Sequence, residues 1–503
     1  MFGKTHTVLL LFFLVPGLLP AEVELAPLFR DGAVLQQGVP VPVWGTAEAW
    51  ESVTVKFKGQ VRTTVTDEHG RWQVRLDSLT ASTEPAQLVV AGRNTITVGD
   101  VLVGEVWLCS GQSNMLFRVN EGRDAKREIA AADHPLIREF SVKSMIADAP
   151  LVTVGGEWQT CSPATVGEFT AVGYFFARDL QARLGVPVGL IKATLGGSPI
   201  EGWMSAEALA RTANAAAIER RWRGMATDYN VRTARYEREL AAWNQARLTA
   251  QSSHTPFTAA KPVKAYNDND RNRPGGLYNG FIHPLEPYAL AGFLWYQGEG
   301  NTGRASEYAE LFQTMIAQWR SDFAQPARPF LFVQLASYDD PKDKSGQSWA
   351  WLRAAQAKAL DLQNTGMAVA MDLGNPSNIH PTNKQAVGGR LARLALKNVY
   401  GLSINDRGPV FASTQREGTV LRLKFANAAG LSLVGDPHVA FAIAGEDRRF
   451  VPANAVVSGD TVVVSAVEIT APVAVRFNWV NSSLVTLQND AGLPAAPFRS
   501  DNW

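Results

Sequence analysis

The stretch Trp107-Leu-Cys-Ser-Gly-Gln-Ser-Asn-Met115 decides how this chain is read. A run of strand formers, Asp100-Val-Leu-Val-Gly-Glu-Val-Trp-Leu108, leads into it and breaks at Gly111-Gln112-Ser113-Asn114. An apolar strand that ends in glycine and small polar residues is where an α/β sheet places reactive groups, at the carboxyl end of the strand. Gly111 lets the backbone turn tightly, which would leave Ser113 at the mouth of a crevice. The plainer alternative is an ordinary strand-to-helix turn with a serine near the cap. The surrounding chain weighs on that choice.

Downstream, strands and helices alternate. Ala171–Leu180 reads as an amphipathic helix, and Val188–Thr194 as a buried strand running into Leu195-Gly-Gly-Ser198. Gly292–Gly298, Pro329–Leu335 and Met367–Met371 read as further strands. This pattern predicts an α/β fold, a doubly wound parallel sheet over residues 100–408. An Ala-, Arg- and Glu-rich segment followed by a polar one, 205–276, reads as a helical insertion with Ser205 as a cap. Residues 22–99 and 409–503 alternate over short strands, so all-β, sandwich-like regions are expected on both sides. Asp67-Glu-His-Gly70 reads as a hairpin turn, as does Ser458-Gly-Asp460.

Composition narrows the functional classes. Lys plus Arg number 48 and Asp plus Glu 47 in 503 residues, a balance that argues against a nucleic-acid binder or a polybasic membrane surface. Lys4 followed by the short apolar run Val8–Val15 and small residues to Ala21 reads as a secretory signal over residues 1–21, which implies export to the periplasm or medium. The apolar run is too short to span a bilayer comfortably. Cys109 and Cys161 are too few for a disulfide scaffold, and sequence leaves open whether they pair. No histidine or acidic cluster has metal-ligand spacing, so chemistry without metal or cofactor is expected.

Four segments end at expected strand tips or in the loops that follow: Gly111–Asn114, Leu195–Ser198, Trp295–Glu299 and Asn378–Pro381. One sheet gathers such tips along one edge. Together they offer a hydroxyl, glycine N–H groups, a side-chain amide and an imidazole, the parts acyl transfer requires. His283, in Phe281-Ile-His-Pro284, reads as packing or substrate contact. Trp203, Trp295 and Tyr296 read as core residues, with sugar stacking as the alternative.

The sequences GQSNM, LGGSPIEGW, LYNGFIHP, WYQGEGN and IHPTNKQAVGGRLA occur in this order. The chain thereby resembles the sialate O-acetylesterase family of SGNH-type hydrolases, over roughly residues 30–400. The resemblance implies a serine carbohydrate esterase that removes O-acetyl groups, with O-acetylated sialic acids as substrate. Acetylxylan or another plant-glycan ester, or a non-catalytic carbohydrate binder on the same fold, are the alternatives. It further implies Ser113 as nucleophile and His380 as general base. The N–H groups of Ser113 and Gly197 would form the oxyanion hole, with the Gln297 side chain as a further donor and Asn301 as the alternative. Many relatives carry Asp two or three positions before the histidine, where this chain has Asn378 and Ser377. Glu299 is therefore the expected triad acid, with Asp372 or no acid at all as alternatives. N-terminal sequencing of exported protein is expected to begin near Glu22; a mature chain still starting at Met1 would refute the signal.

Overall fold

A computed structural model describes residues 22–253, 255–262 and 271–503. The expected leader, residues 1–21, lies outside them, as do His254 and part of the helical insertion.

The long strand β1 (Thr95–Gly111) organises the molecule. Six further strands join its second half: β2 (His134–Ser141), β3 (Trp158–Cys161), β4 (Val188–Thr194), β5 (Gly292–Tyr296), β6 (Phe330–Gln334) and β7 (Thr365–Val369). Their spatial order is β3-β2-β4-β1-β5-β6-β7. All neighbours run parallel except the edge strand β3, antiparallel to β2. Every residue of β1 from Val101 to Gly111 is buried, as a parallel strand covered on both faces requires.

The helices follow the strands. They include α1 (Ser113–Leu116), α2 (Ala171–Leu184), α3 (Ala215–Ser252), α4 (Ala305–Asp322), α5 (Ser348–Ala357) and α6 (Lys384–Asn398). On one face Trp107 of β1 packs edge-on against Phe176 of α2. Gly388 of α6 lies so close that a β-carbon there would sit 2.7 Å from Phe175 Cβ. On the other face Trp295 of β5 packs against Phe312 and Trp319 of α4. Burying each such side chain contributes about 2–3 kcal/mol. Trp203, Trp295 and Tyr296 are wholly buried and belong to this core, not to a sugar-stacking surface.

The first half of β1 lies in the N-terminal β region. It pairs antiparallel with Ser82–Ala91 and parallel with Val34–Gln36. One strand thus runs unbroken through residues 99 and 100, where the sequence suggested a change of fold class. The turn at Asp67–Gly70 is a corner, not a hairpin. Gln60–Val65 pairs only with Ser52–Phe57, whereas Arg71–Leu76 crosses to the sheet of Val41–Thr46. Asp67 stabilises the corner by accepting from the N–H groups of His69 and Arg71, each at 2.9 Å. The hairpin lies one strand earlier, where Lys58 and Gly59 both take positive φ.

The C-terminal region folds as short antiparallel sheets around its own core, which includes Leu423, Ile443, Val462 and Phe477. The Ser458–Asp460 turn joins Asn454–Ser458 to Thr461–Ser465, as expected. Buried Arg353 of α5 fastens this region to the α/β layer. Its guanidinium donates to the carbonyls of Leu335, Ala336, Val480 and Asn481 at 2.8–2.9 Å. Ser205 caps a short helix at the start of the insertion, and Arg221 of α3 forms a bidentate pair with Glu307. Beyond these anchors α3 is largely exposed. Cys109 and Cys161 are both buried free thiols. Among the described residues, no helix is long and apolar enough to cross a membrane.

Gly111 closes β1 at φ +133°, and a β-carbon there would meet the Tyr296 carbonyl oxygen at 2.2 Å. Gly111→Ala is expected to lower the thermal unfolding midpoint by several degrees and to impair activity, because the clash is with backbone that a rotamer change cannot move. An unchanged midpoint in calorimetry would show that the turn can relax.

Candidate active site

Ser113 is the first residue of α1, directly beyond the tip of β1. His380 lies in the loop between β7 and α6, and its Nε2 is 2.8 Å from Ser113 Oγ. The two are 267 residues apart in sequence; the parallel sheet brings their loops to one edge. The Leu195–Ser198 turn follows β4 at the same edge. Leu195 N–H donates to the Gly111 carbonyl at 3.1 Å. A β-carbon at Gly196 would sit 3.6 Å from Ser113 Cβ, so this turn flanks the hydroxyl, with Gly197 next in line.

Asn114 is buried beside Ser113 and uses its whole carboxamide. Its Nδ2 donates to Glu299 Oε1 at 2.5 Å and to the Ile379 carbonyl at 3.0 Å. Its Oδ1 accepts from the Lys384 ammonium. One side chain next to the candidate nucleophile therefore holds the backbone next to the candidate base. Lys384 also lies over the rings of Phe117 and Tyr296, 4.7 and 5.3 Å from their centroids. Gln112, likewise buried, accepts from the N–H groups of Gly298 and Gly300 and so fixes the loop after β5. The sequence reading singled out neither Asn114, Gln112 nor Lys384. Gln112 and Asn114 flank the serine in GQSNM, and Lys384 stands four residues after His380, which was the available signal.

Two expected roles do not match this geometry. Glu299 is half-buried and joined to Asn114, with no hydrogen bond to the His380 ring; its second oxygen, Oε2, is shut off from solvent and has no partner among the described residues. In this structure its hydrogen bond goes to the Asn114 carboxamide, which it braces. Gln297 is also fully buried. Its Nε2 donates to the Ser198 carbonyl at 3.1 Å and to Asn301 Oδ1 at 2.8 Å, while Tyr308 O–H donates to its Oε1 at 2.8 Å. Both N–H groups are thus committed, which leaves none for an oxyanion. Asn301 is held in turn: its Nδ2 donates to Glu201 and its Oδ1 also accepts from Ile200 N–H. Asp372 forms a bidentate pair with Arg390 at 2.6 Å and does not turn back to His380. Asn378 Oδ1 accepts from the His380 backbone N–H at 2.9 Å, so it shapes the turn and not the ring. His283 contacts the Leu151 carbonyl through Nδ1, a packing role.

Burial pushes the His380 pKa below its ordinary 6.5, and the nearby Lys384 charge lowers it further; Glu121 opposes both. Burial likewise brings Lys384 down to about 7, against the attraction of Glu299 and Glu121. Burial raises Glu299, against its Asn114 hydrogen bond and Lys384. Glu121 is the carboxylate whose charge favours the His380 imidazolium, and the sequence reading missed it. It closes the single turn Val119–Glu121, where its Oε2 accepts from Arg118 N–H at 2.7 Å. Arg123 N–H donates to the Thr382 carbonyl at 2.9 Å, tying this segment to the His380 loop. A neutral imidazole 2.8 Å from a serine hydroxyl can accept its proton.

Comparison with known proteins defines the class. The family model for carbohydrate esterase, sialic acid-specific acetylesterase, matches residues 103–231 and 265–397. The rat sialate O-acetylesterase is 32% identical over 405 residues, covering 73% of this chain and 72% of that protein. The human sialate O-acetylesterase is 30% identical, over 76% of this chain and 72% of its own length. The crystal structure of a carbohydrate acetylesterase from Xanthomonas citri superposes with a TM-score of 0.81 at 38% identity, covering 96% of this chain and all of that one. The chain belongs to the sialic acid-specific acetylesterase family of carbohydrate esterases. It is a sialate O-acetylesterase-like carboxylic ester hydrolase.

The depressed His380 pKa has a direct consequence. A base competent only when neutral loses activity as pH falls through its pKa, so the acid limb of kcat/KM is expected below 6.5. Glu121→Gln removes the opposing negative charge and should move that limb lower still. An upward move in the variant's pH–rate profile would overturn this account of the electrostatics.

Proposed function

We propose that this protein is a serine esterase that removes acetyl groups from sugars, with Ser113 as nucleophile and His380 as general base. The observation that carries this reading is the 2.8 Å contact between Ser113 Oγ and His380 Nε2 at the carboxyl edge of the sheet. In the proposed reaction Ser113 Oγ attacks the acetyl carbonyl while its proton passes to His380 Nε2. The N–H groups of Ser113 and Gly197 are assigned to the oxyanion that forms. His380 then returns the proton to the departing sugar oxygen, the C–O bond breaks, and an acetyl-serine remains. Water, deprotonated by His380, attacks that ester, and acetate leaves as Ser113 regains its proton.

The order of blocks, Ser113, Gly197, the Gln297–Asn301 loop and His380, supports an SGNH-type assignment. In our reading the side-chain amide of the third block is structural, because both its N–H groups are taken, one by Asn301 of the same loop and one by the Ser198 carbonyl of the turn after β4. The pair then runs without a carboxylate bonded to the imidazole. Glu121 supplies the favourable charge from the side, and Asn114 keeps the ring in register through the Ile379 carbonyl. We assign O-acetylated sialic acids as the substrate class, because the curated relatives are named sialate O-acetylesterases. We assign export from the Lys4–Ala21 segment.

Ser113→Ala should abolish hydrolysis of a small chromogenic acetate by ~10⁴-fold or more, with folding retained. Activity within tenfold of wild type would overturn the nucleophile. A panel of O-acetylated sialosides and acetylated xylo-oligosaccharides identifies the sugar.

A further inference from the structure

A cleft of about 580 Å³ opens at the seam with the C-terminal β region. Thr302, Ser306, Ser345, Trp351, Lys358 and Arg499 are among the side chains that line it. It shares an element with the site. The turn Glu299–Arg304 begins with the carboxylate that braces Asn114 and continues to Thr302, on the cleft wall. The cleft is therefore reached from the same loop cluster, after the carboxyl ends of β5 and β6.

Trp351 is its most informative residue. It stands on α5 two residues after Trp349, which is buried, and is itself 38% exposed. An indole left open to water on a well-packed helix calls for a reason. It is held rigidly: Trp479 meets it edge-on with centroids 5.2 Å apart, and the Arg499 guanidinium lies over its ring at 4.5 Å. Arg499 is fixed in turn by Asp501 Oδ1 at 3.1 Å and the Trp503 carbonyl at 3.0 Å. The C-terminal residues thus set the position of an indole that belongs to the α/β layer. A fixed aromatic surface beside hydroxyls and cations has the chemistry of a sugar site. The C–H face of a pyranose is apolar and faintly positive, so it suits an indole face; Arg499 covers one face of Trp351, and the pyranose would take the other. Thr302, Ser306 and Ser345 can accept from ring hydroxyls, and the charged lining carries both signs, Lys358 and Arg499 with Asp343.

We propose that this cleft is a glycan-chain subsite, in which a pyranose unit of the substrate other than the acetylated one rests against Trp351. The proposal rests on the esterase reading for its role in turnover, but binding at the cleft can be measured without it. The subsite adds affinity for long substrates and leaves the acetyl-transfer step itself unchanged.

The test compares wild type, Trp351→Ala and Trp351→Phe on a small chromogenic acetate and on acetylated sialylated and xylan oligosaccharides. Trp351→Ala should keep kcat/KM for the small acetate while losing about tenfold on an oligosaccharide through KM, the effect of removing one aromatic anchor. Trp351→Phe should recover part of that loss. Equal losses on small and long substrates would overturn the subsite and mark Trp351 as a folding residue; no loss on either oligosaccharide would overturn it as well. Calorimetric titration with deacetylated sialylated oligosaccharide and with xylohexaose reads the cleft without catalysis. Binding of either that Trp351→Ala abolishes supports the subsite, and the binder identifies the chain. Binding of neither, or binding unaffected by the substitution, refutes it, whatever the fate of the esterase reading.

Discussion

The carboxamide of Asn114 connects the parts of the site that the chain supplies from separate places. It follows Ser113 directly, so any displacement of its side chain is felt at the hydroxyl. Its Nδ2 reaches the carbonyl of Ile379, one residue before His380, and its remaining bonds go to Glu299 and Lys384. A buried amide with both protons donated and its oxygen accepting from an ammonium has one low-energy orientation, because flipping it would set N–H groups against Lys384 and the oxygen against Glu299 and the Ile379 carbonyl. The Ser113–His380 distance is thus inherited from a rigid bracket and not from a carboxylate behind the imidazole. The same bracket explains why a buried lysine and a half-buried glutamate coexist beside Ser113. Each is brought toward neutrality by burial, each steadies the other through Asn114, and the lysine's charge helps keep His380 unprotonated.

This bracket needs an unyielding floor, and β1 provides it. The strand is anchored at one end in the N-terminal β region and at the other in the centre of the parallel sheet. Its tip is pinned where Gly111 passes under the Tyr296 carbonyl. A loop that starts from such a strand has little freedom, which is what a nucleophile requires to stay in register with its base. The C-terminal region contributes at the other side. Arg353 donates into carbonyls of both layers, so the walls of the cleft at that seam are parts of one packed unit.

Much of this was legible in the sequence. Strands that run into Gly-Gln-Ser, Leu-Gly-Gly-Ser and Tyr-Gln-Gly, with helices between, specify a parallel sheet and the edge where its loops meet. Burial on both faces demands long apolar runs that local composition reveals. That Ser113 and His380 belong to that edge was legible for the same reason; their pairing was what the family resemblance implied. The Asp67–Gly70 corner was misread because turn residues report that the chain bends but not which strand it pairs with next. That is decided by which sheet has a free edge. Glu299 and Gln297 stand on the expected loop, but their hydrogen bonds go to Asn114, Ser198, Asn301 and Tyr308. Loop position follows from sequence, but a side chain's partner depends on neighbours hundreds of residues away.

The sequence by itself determined the fold class, the loop cluster and the residue types available for chemistry, because these follow from periodicity and from the tight turns that glycine permits. The tertiary structure decided which groups touch. Only there does Asn114 take the bonds of Glu299 and Lys384, and does Gln297 spend one of its N–H groups on the Ser198 carbonyl of another loop. Each of these contacts joins segments that no local pattern relates. Each is fixed by the requirement that buried polar groups find partners in whatever the packed chain brings near.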